Sequence, residues 1–426
     1  MLYHKLITLS ISCIVQVRKR ISYLSSMQLP QYKGNSSYLD TENDKINRIP
    51  LILSKYLNDI NPIFRKKVIK DYLSLKVNSI DPYLIDDNIS NDFITLIKDD
   101  LLENMCYVIE LNPGYGLLTR RLLDAGVSFI HLYEYHDAFY HELQNLKAIF
   151  PNRVNITKAN LLRISKMLNL NSTSTIPNVY LCELFNNVPK KKWEEKSCMQ
   201  IIATVTKPAF IRHLILSVIF QTSFMMHGRT IFYLALSPSI WNVSTATLDF
   251  FFYIHKLTCR IKKLSTPYVM FNTLFKSTTF GTLDRQGFLP WQKVQKTKTK
   301  KIICEDDNRI LYVVKIEPKS NLLSLFGGKE QVIYFWHFVR HCLCNPSVKI
   351  IPTIEKIIPG FGVRLIEKNY NIFLEFNELS INEIIDLYME LKSYPGFNES
   401  SFLASGNDIR RIYDPYFFDE ALNKVQ

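Results

Sequence analysis

The stretch VIELNPGYGLLTRRLLDAG, Val108 to Gly126, constrains this chain more than any other. An apolar strand ends in an acid, crosses a turn holding Gly114 and Gly116, and enters an amphipathic helix near Leu117. Glycines let the backbone approach a ligand closely, and the helix directs its positive end at the same spot. A tight βα connection alone would explain a glycine-rich turn. The acid at the tip of the next strand, Glu134, argues for more, because it stands where a carboxylate accepts the hydroxyls of a ribose.

A dinucleotide fingerprint requires a third glycine at position 119, where this chain has Thr119. Glu110 can instead face the ammonium group of a ligand while Glu134 accepts both ribose hydroxyls. Those two requirements together suit S-adenosylmethionine.

Around this unit the pattern alternates helices with short apolar strands, as expected of a doubly wound α/β sheet. Strands are expected at Cys106–Glu110, Phe129–Glu134, Val154–Thr157, Val179–Glu183, Gln200–Thr204, Thr230–Leu236 and Arg309–Ile316. After RILYVVKIEPKSNLL the texture turns to helical periods, EQVIYFWHFVRHCL and SINEIIDLYMELKSY. The expected fold is therefore a Rossmann-like α/β sheet, residues 81–318, with a small C-terminal helical domain, residues 319–426, and the family that its motifs resemble implies a sheet of the S-adenosylmethionine-dependent methyltransferase type.

Charge bears on the partner. The 426 residues hold 52 Lys+Arg against 39 Asp+Glu, a surplus of +13 that favours a polyanion such as nucleic acid. Part of it is local: Lys5, Arg18, Lys19, Arg20 and Lys33 all precede the first acid, Asp40. The basic, serine-containing and apolar opening has the composition of a mitochondrial transit peptide, residues 1–30, followed by a basic extension, residues 31–80. A secretory signal competes less well, since Arg18, Lys19 and Arg20 stand where a small-residue cleavage site belongs. Eight scattered cysteines point to reduced thiols. No run is apolar enough for a membrane span, and AFIRHLILSVIFQTSFMM, interrupted by Arg212, His213 and Gln221, reads as a buried helix.

Several motifs together resemble one family, the ribosomal RNA adenine dimethyltransferases and their mitochondrial descendants, the mitochondrial transcription factors B. VIELNPGYGLLTRRLL is similar to the family's first motif, with Asn112 where most members have glycine; asparagine tolerates a left-handed backbone. PYLIDD resembles the segment that lies over the cofactor and puts Leu84 at its edge. HLYEYHDAF supplies Glu134, and ITKANLLRI puts Asn160 where the family usually presents an Asp to the adenine amine. An amide oxygen accepts a hydrogen bond but carries no charge, so the resemblance implies a weakened S-adenosylmethionine site. FLPWQKV, Phe288 to Val294, resembles the F-x-P-x-P-x-V element on the substrate side.

The fourth motif departs from the pattern. Active members carry N-L-P-Y after the fourth strand, where Asn accepts the target amine and Tyr stacks on the flipped base. This chain has IIATVTKPAF. Aligned on the strand, Thr204 replaces Asn and Lys207 replaces Tyr; aligned on the proline, Thr206 and Ala209 do so. Neither register restores the pair, and a lost stacking contact costs about 1–3 kcal/mol per base.

The resemblance then implies a factor that assists mitochondrial RNA polymerase in melting promoter DNA, acting in the matrix nucleoid. Basic runs that could hold the DNA single strand are Lys190, Lys191 and Lys192 beside Trp193; Lys293, Lys296, Lys298, Lys300 and Lys301 beside Trp291; and Arg65, Lys66 and Lys67. Solvated loops would have the same composition. The competing expectation is an active enzyme dimethylating adjacent adenines of mitochondrial small-subunit rRNA, with Thr204 or Thr206 as acceptor and Phe210 stacking. An RNA-binding protein with neither role is a third. No metal is expected: WHFVRHCLC places His337 and His341 on one face, but Cys342 and Cys344 are too close for a zinc knuckle and no second ligand pair follows. DDNISND lacks the glycine and terminal Glu of a calcium loop and reads as a helix cap.

Overall fold

The computed structural model describes residues 82–164, 177–245, 265–289, 309–343 and 348–413. The expected transit peptide and basic extension, Arg65, Lys66, Lys67, Trp291, Cys344 and the lysines from Lys293 to Lys301 lie outside the described residues.

Nine strands among the described residues form a short ribbon and a sheet. They are β1 (Tyr83–Leu84), β2 (Tyr107–Leu111), β3 (Ile130–Tyr133), β4 (Val154–Thr157), β5 (Met199–Val205), β6 (Thr230–Leu236), β7 (Phe275–Asp284), β8 (Phe288–Leu289) and β9 (Ile310–Pro318). The seven-stranded sheet runs β4-β3-β2-β5-β6-β9-β7, and β1 pairs with β8 apart from it. From β4 to β6 every pairing is parallel, whereas β9 and β7 are antiparallel. Parallel strands are covered on both faces, so their sequences read as apolar runs, as in TIFYLAL of β6, where all seven residues are buried.

Helices cover the two faces. On one, α1 (Asp87–Glu103) and α2 (Leu117–Asp124) share a cluster with the sheet through Phe93, Ile97, Leu118, Leu122, Val108 and Tyr233. The acidic segment before α1 is indeed a cap: the Asp86 carboxylate accepts from the backbone N–H groups of Asn88 and Ile89. The helix α3 (Asp137–Ile149) follows β3. On the other face lie α4 (Pro177–Leu184), α5 (Pro208–Phe220) and α6 (Ser265–Leu274). The segment around Arg212 and His213 is thus the buried helix its sequence implies, with Pro208 in its first turn.

Two features differ from the sequence expectation. Val179–Glu183 is helical, within α4, instead of a strand. Leu181, Leu184, Phe185 and Val188 are buried at spacings of three, four and seven, a helical stripe that outweighs the local β propensity. Conversely, β7 is a strand that its sequence conceals. Its side chains are mostly half-exposed, and a bulge between Thr279 and Gly281 breaks the alternation. Gly281 faces Leu96 of α1 so closely that a Cβ would fall 2.9 Å from a leucine methyl.

The expected C-terminal helices form as α7 (Lys329–Cys342) and α8 (Ile381–Ser393). Trp336 of α7 packs edge-on against Phe220 of α5, and Tyr388 of α8 against Phe335, within one continuous apolar cluster. His337 stacks on Phe402, and its Nε2 lies 2.9 Å from Ser405 Oγ.

Arg229, at the entry to β6, ties the segment before β5 to the end of β9. Its guanidinium donates to Glu317 Oε1 at 2.7 Å and to the carbonyls of Trp193, Glu195 and Pro318. Only 7% of the residue is exposed, so its loss strands a carboxylate and three carbonyls. Arg229→Ala is expected to cost about 3–5 kcal/mol in urea unfolding. Lys368→Ala, which removes an exposed ion pair to Glu390, is expected to cost about 1 kcal/mol or less.

Candidate functional site

The strand order reverses between β2 and β5, and ligands of open α/β sheets bind at the carboxyl ends beside such a switch point. Glu110 lies opposite Ile202 across this junction, and Thr204 stands near the end of β5. A small pocket opens there, lined by Leu84, Phe93, Glu110, Asn112, Leu118 and Thr204 among others. The structure therefore brings Leu84, Glu110 and Thr204 together.

Glu110 is 4% exposed, and its Oε2 accepts a 2.6 Å hydrogen bond from Thr119 Oγ1. The residue that occupies the third-glycine position thus supports the acid. Burial outweighs this bond and pushes the Glu110 carboxyl up to about 7, with a further push from Glu134.

Glu134 follows β3 and is fully buried. Its Oε1 accepts from the backbone N–H groups of Tyr135 and His136, each at 2.8 Å, and from the Tyr83 hydroxyl at 3.2 Å. Its Oε2 accepts from the Gly114 N–H at 3.1 Å. Burial dominates here too, raising the carboxyl to about 7 against the opposing pull of these donors.

The turn between β2 and α2 has left-handed backbone at Asn112 (φ 53°), Gly114 (φ 60°) and Gly116 (φ 72°), so asparagine fills a conformation that suits it. The two glycines serve different neighbours. A Cβ on Gly114 would meet the Tyr83 ring at 2.8 Å, and one on Gly116 would crowd Leu143 and Leu146 of α3. Tyr83 itself was not singled out by sequence reasoning, although it sits beside Leu84; only the fold shows that its ring lies on Gly114 and Phe139 and its hydroxyl on Glu134.

Asn160 caps the turn after β4, at the same sheet edge. Its Oδ1 is buried without a hydrogen-bond partner, and so are Asn112 Oδ1 and Thr206 Oγ1. A buried polar atom left unpaired costs about 1–3 kcal/mol, which an incoming donor would recover. These open acceptors, the paired carboxylates and the glycine turn are compatible with an adenosyl group.

The base side is built differently. Phe210 is 2% exposed and packs among Phe224 and Phe232, so it is not presented for stacking on a base. Trp193 is also buried, donating its Nε1–H to the Lys319 carbonyl, which removes it as a base-stacking partner for the adjoining lysines. Lys190 and Lys192 are exposed, whereas Lys191 is half-buried and donates to the Ser197 carbonyl.

The sheet order, its antiparallel edge and the acid-bearing strand tips define the class of fold: a Rossmann-like, methyltransferase-type α/β sheet. No family model matches the chain. Dimethyladenosine transferase 2, mitochondrial, of Drosophila melanogaster is 29% identical over 339 residues, which cover 70% of this chain and 72% of that protein. Among solved structures, a dimethyladenosine transferase from Plasmodium falciparum is 12% identical, with 72% of this chain and 95% of that one covered and a TM-score of 0.40. A magnesium protoporphyrin IX methyltransferase from Synechocystis PCC 6803 with bound SAH is 10% identical, covering 65% and 97%, with a TM-score of 0.28. The chain is thus similar over most of its length to a mitochondrial dimethyladenosine transferase 2.

The raised Glu110 carboxyl has a measurable sign. A carboxyl whose folded pKa exceeds its unfolded value stabilises the fold below the unfolded pKa, and that contribution is lost as pH rises through the folded one. For Glu110 the window runs from about 4.5 to about 7. The stability of Glu110→Gln minus that of the wild type is therefore expected to shift in favour of the variant between pH 5 and pH 8, read from urea unfolding at each pH. A constant difference contradicts the burial argument.

Proposed function

We propose that this protein is a mitochondrial transcription initiation factor that assists mitochondrial RNA polymerase in opening promoter DNA, built on a methyltransferase fold whose adenosyl pocket is retained and whose base clamp is lost. One contrast carries the reading. Glu110, Glu134, Gly114 and Gly116 keep the nucleoside cradle, while Thr204 or Thr206 stands where an Asn belongs, Lys207 or Ala209 stands where a stacking Tyr belongs, and Phe210 is buried in the core. Among the described residues, neither Phe210 nor Trp193 offers a flipped adenine an aromatic face.

In this reading S-adenosylmethionine is held by Glu110, Glu134, the Gly114–Gly116 turn, Asn160 and the Leu84 edge, with affinity reduced by the neutral Asn160. When bound it supplies an electrophilic methyl group. The chain's own residues orient the ribose, receive the adenine amine and exclude water around the two buried acids. Lys190 and Lys192 contribute exposed charge toward the DNA single strand, with Lys191 beside them, and the sequence adds Lys293, Lys296, Lys298, Lys300 and Lys301. The methyltransferase-like part spans 81–318 and the helical part 319–426, and the location is the mitochondrial matrix, at the nucleoid.

An active small-subunit rRNA adenine dimethyltransferase is the second reading. Its support is the unpartnered, buried Thr206 hydroxyl, which could take part in substrate recognition.

Run-off transcription by the cognate polymerase on a promoter template is expected to rise at least tenfold when this chain is added, and Thr204→Ala with Thr206→Ala is expected to leave that rise intact. Labelled methyl transfer to a small-subunit rRNA hairpin is expected to stay at background. Polymerase that melts its promoter equally well alone contradicts the proposal. Dimethyladenosine formation that disappears in the double variant supports the second reading.

A further inference from the structure

Glu134 presents two unequally loaded oxygens. A carboxylate oxygen offers about two lone-pair positions; three protein donors reach Oε1 and one reaches Oε2. Three of the four are backbone N–H groups, from Gly114, Tyr135 and His136, fixed by the turn and the strand end. The fourth is the Tyr83 hydroxyl, which makes the longest of the four bonds, at 3.2 Å. A ribose brings two O–H donors: Oε2 has a place for one, whereas Oε1, already serving three donors, has none until one of them leaves. Only the side-chain donor can leave without breaking the backbone of the cradle.

Tyr83 is built into this position. Its ring is 2% exposed, lies 4.5 Å from the Phe139 ring and fills the space above Gly114 that any Cβ would occupy. Its strand is pinned by pairing of Tyr83 with Leu289 and of Leu84 with Phe288. The hydroxyl is thus held against Glu134 by packing, and its bond to Oε1 is the exchangeable one of the four.

We propose that the Tyr83 hydroxyl acts as an internal surrogate for a ribose hydroxyl on Glu134 Oε1, so that a ribose engages both carboxylate oxygens only by displacing it. This rests on the adenosyl-pocket reading above and adds to it the residue that sets affinity and ribose discrimination. In the wild type the ribose hydroxyl that meets Oε1 replaces a bond already made, and its net gain is small. With the phenol removed, the same hydroxyl meets an open acceptor and its full contribution appears in binding.

Tyr83→Phe keeps the ring on Phe139 and Gly114 and removes only the donor. Isothermal titration with S-adenosylhomocysteine is expected to show about three- to tenfold tighter binding to Tyr83→Phe than to the wild type, the range of one hydrogen bond. The 2′-deoxy and 3′-deoxy forms of the ligand supply a reading that altered packing would not mimic. The smaller of the two losses on removing a hydroxyl is expected to be about twofold or less in the wild type and about three- to tenfold in Tyr83→Phe, a coupling in the sense of a double-mutant cycle.

Wild-type protein labelled with 13C at tyrosine Cζ provides an independent measurement, in which the Tyr83 resonance is expected to move on ligand addition. Binding to the wild type with no gain in Tyr83→Phe, or an unmoved Tyr83 resonance at saturation, overturns the surrogate role and leaves the pocket reading standing. No binding by either protein at millimolar ligand overturns the pocket reading, and this proposal with it.

Discussion

The pairing of β2 on both sides, with β3 and with β5, is the constraint from which the rest of the molecule follows. A strand so placed has no free edge, and its two faces are covered, so its tip is fixed to within the precision of a packed core. Glu110 sits at that tip, beside the reversal in strand order, and Glu134 follows the neighbouring strand. Two carboxylates are thereby carried into a poorly hydrated edge where ionisation is opposed, which is why burial is the largest influence on both.

Hydroxyl and amide donors make this burial tolerable. Thr119 supports Glu110, and the turn between β2 and α2 supplies Glu134 with the Gly114 N–H. The left-handed run through Asn112, Gly114 and Gly116 aims that donor, so the turn stabilises its own acid before any ligand arrives. The opposite side of the switch point obeys another logic. Phe210 and Trp193 are spent on the interior, and the hydroxyl side chains of Thr204 and Thr206 are what remains near the edge. One half of the edge is organised around polar capture and the other around apolar packing.

The parallel strands and the cradle are legible in the sequence because their physics is local. An apolar run, an acid and a glycine turn occupy consecutive positions, so β2 through β6 and the pair Glu110 and Glu134 can be read along the chain. The helix α4 is misread because Val179–Glu183 is apolar and short, and its stripe becomes evident only when Leu184, Phe185 and Val188 are included. The edge strand β7 carries no buried alternation to announce it. Tyr83 escapes for a different reason: its meaning depends on Gly114, Glu134 and Phe139, which reach it only through folding. The fates of Phe210 and Trp193 are likewise set by tertiary packing, since an aromatic beside a lysine run has the same sequence whether it faces solvent or core.

The ribbon of β1 and β8 has a kinetic consequence. Its two strands pair only two residues with two, yet they join parts of the chain separated by nearly the whole sheet. Closing so long a loop carries a large entropic cost, and a ladder this short repays little of it; burial of Tyr83, Leu84 and Phe288 must hold the ends together. Such a contact belongs among the last to form as the chain folds and the first to open in the native state. The wall over the cradle should therefore exchange its amide hydrogens well before the strands beneath it.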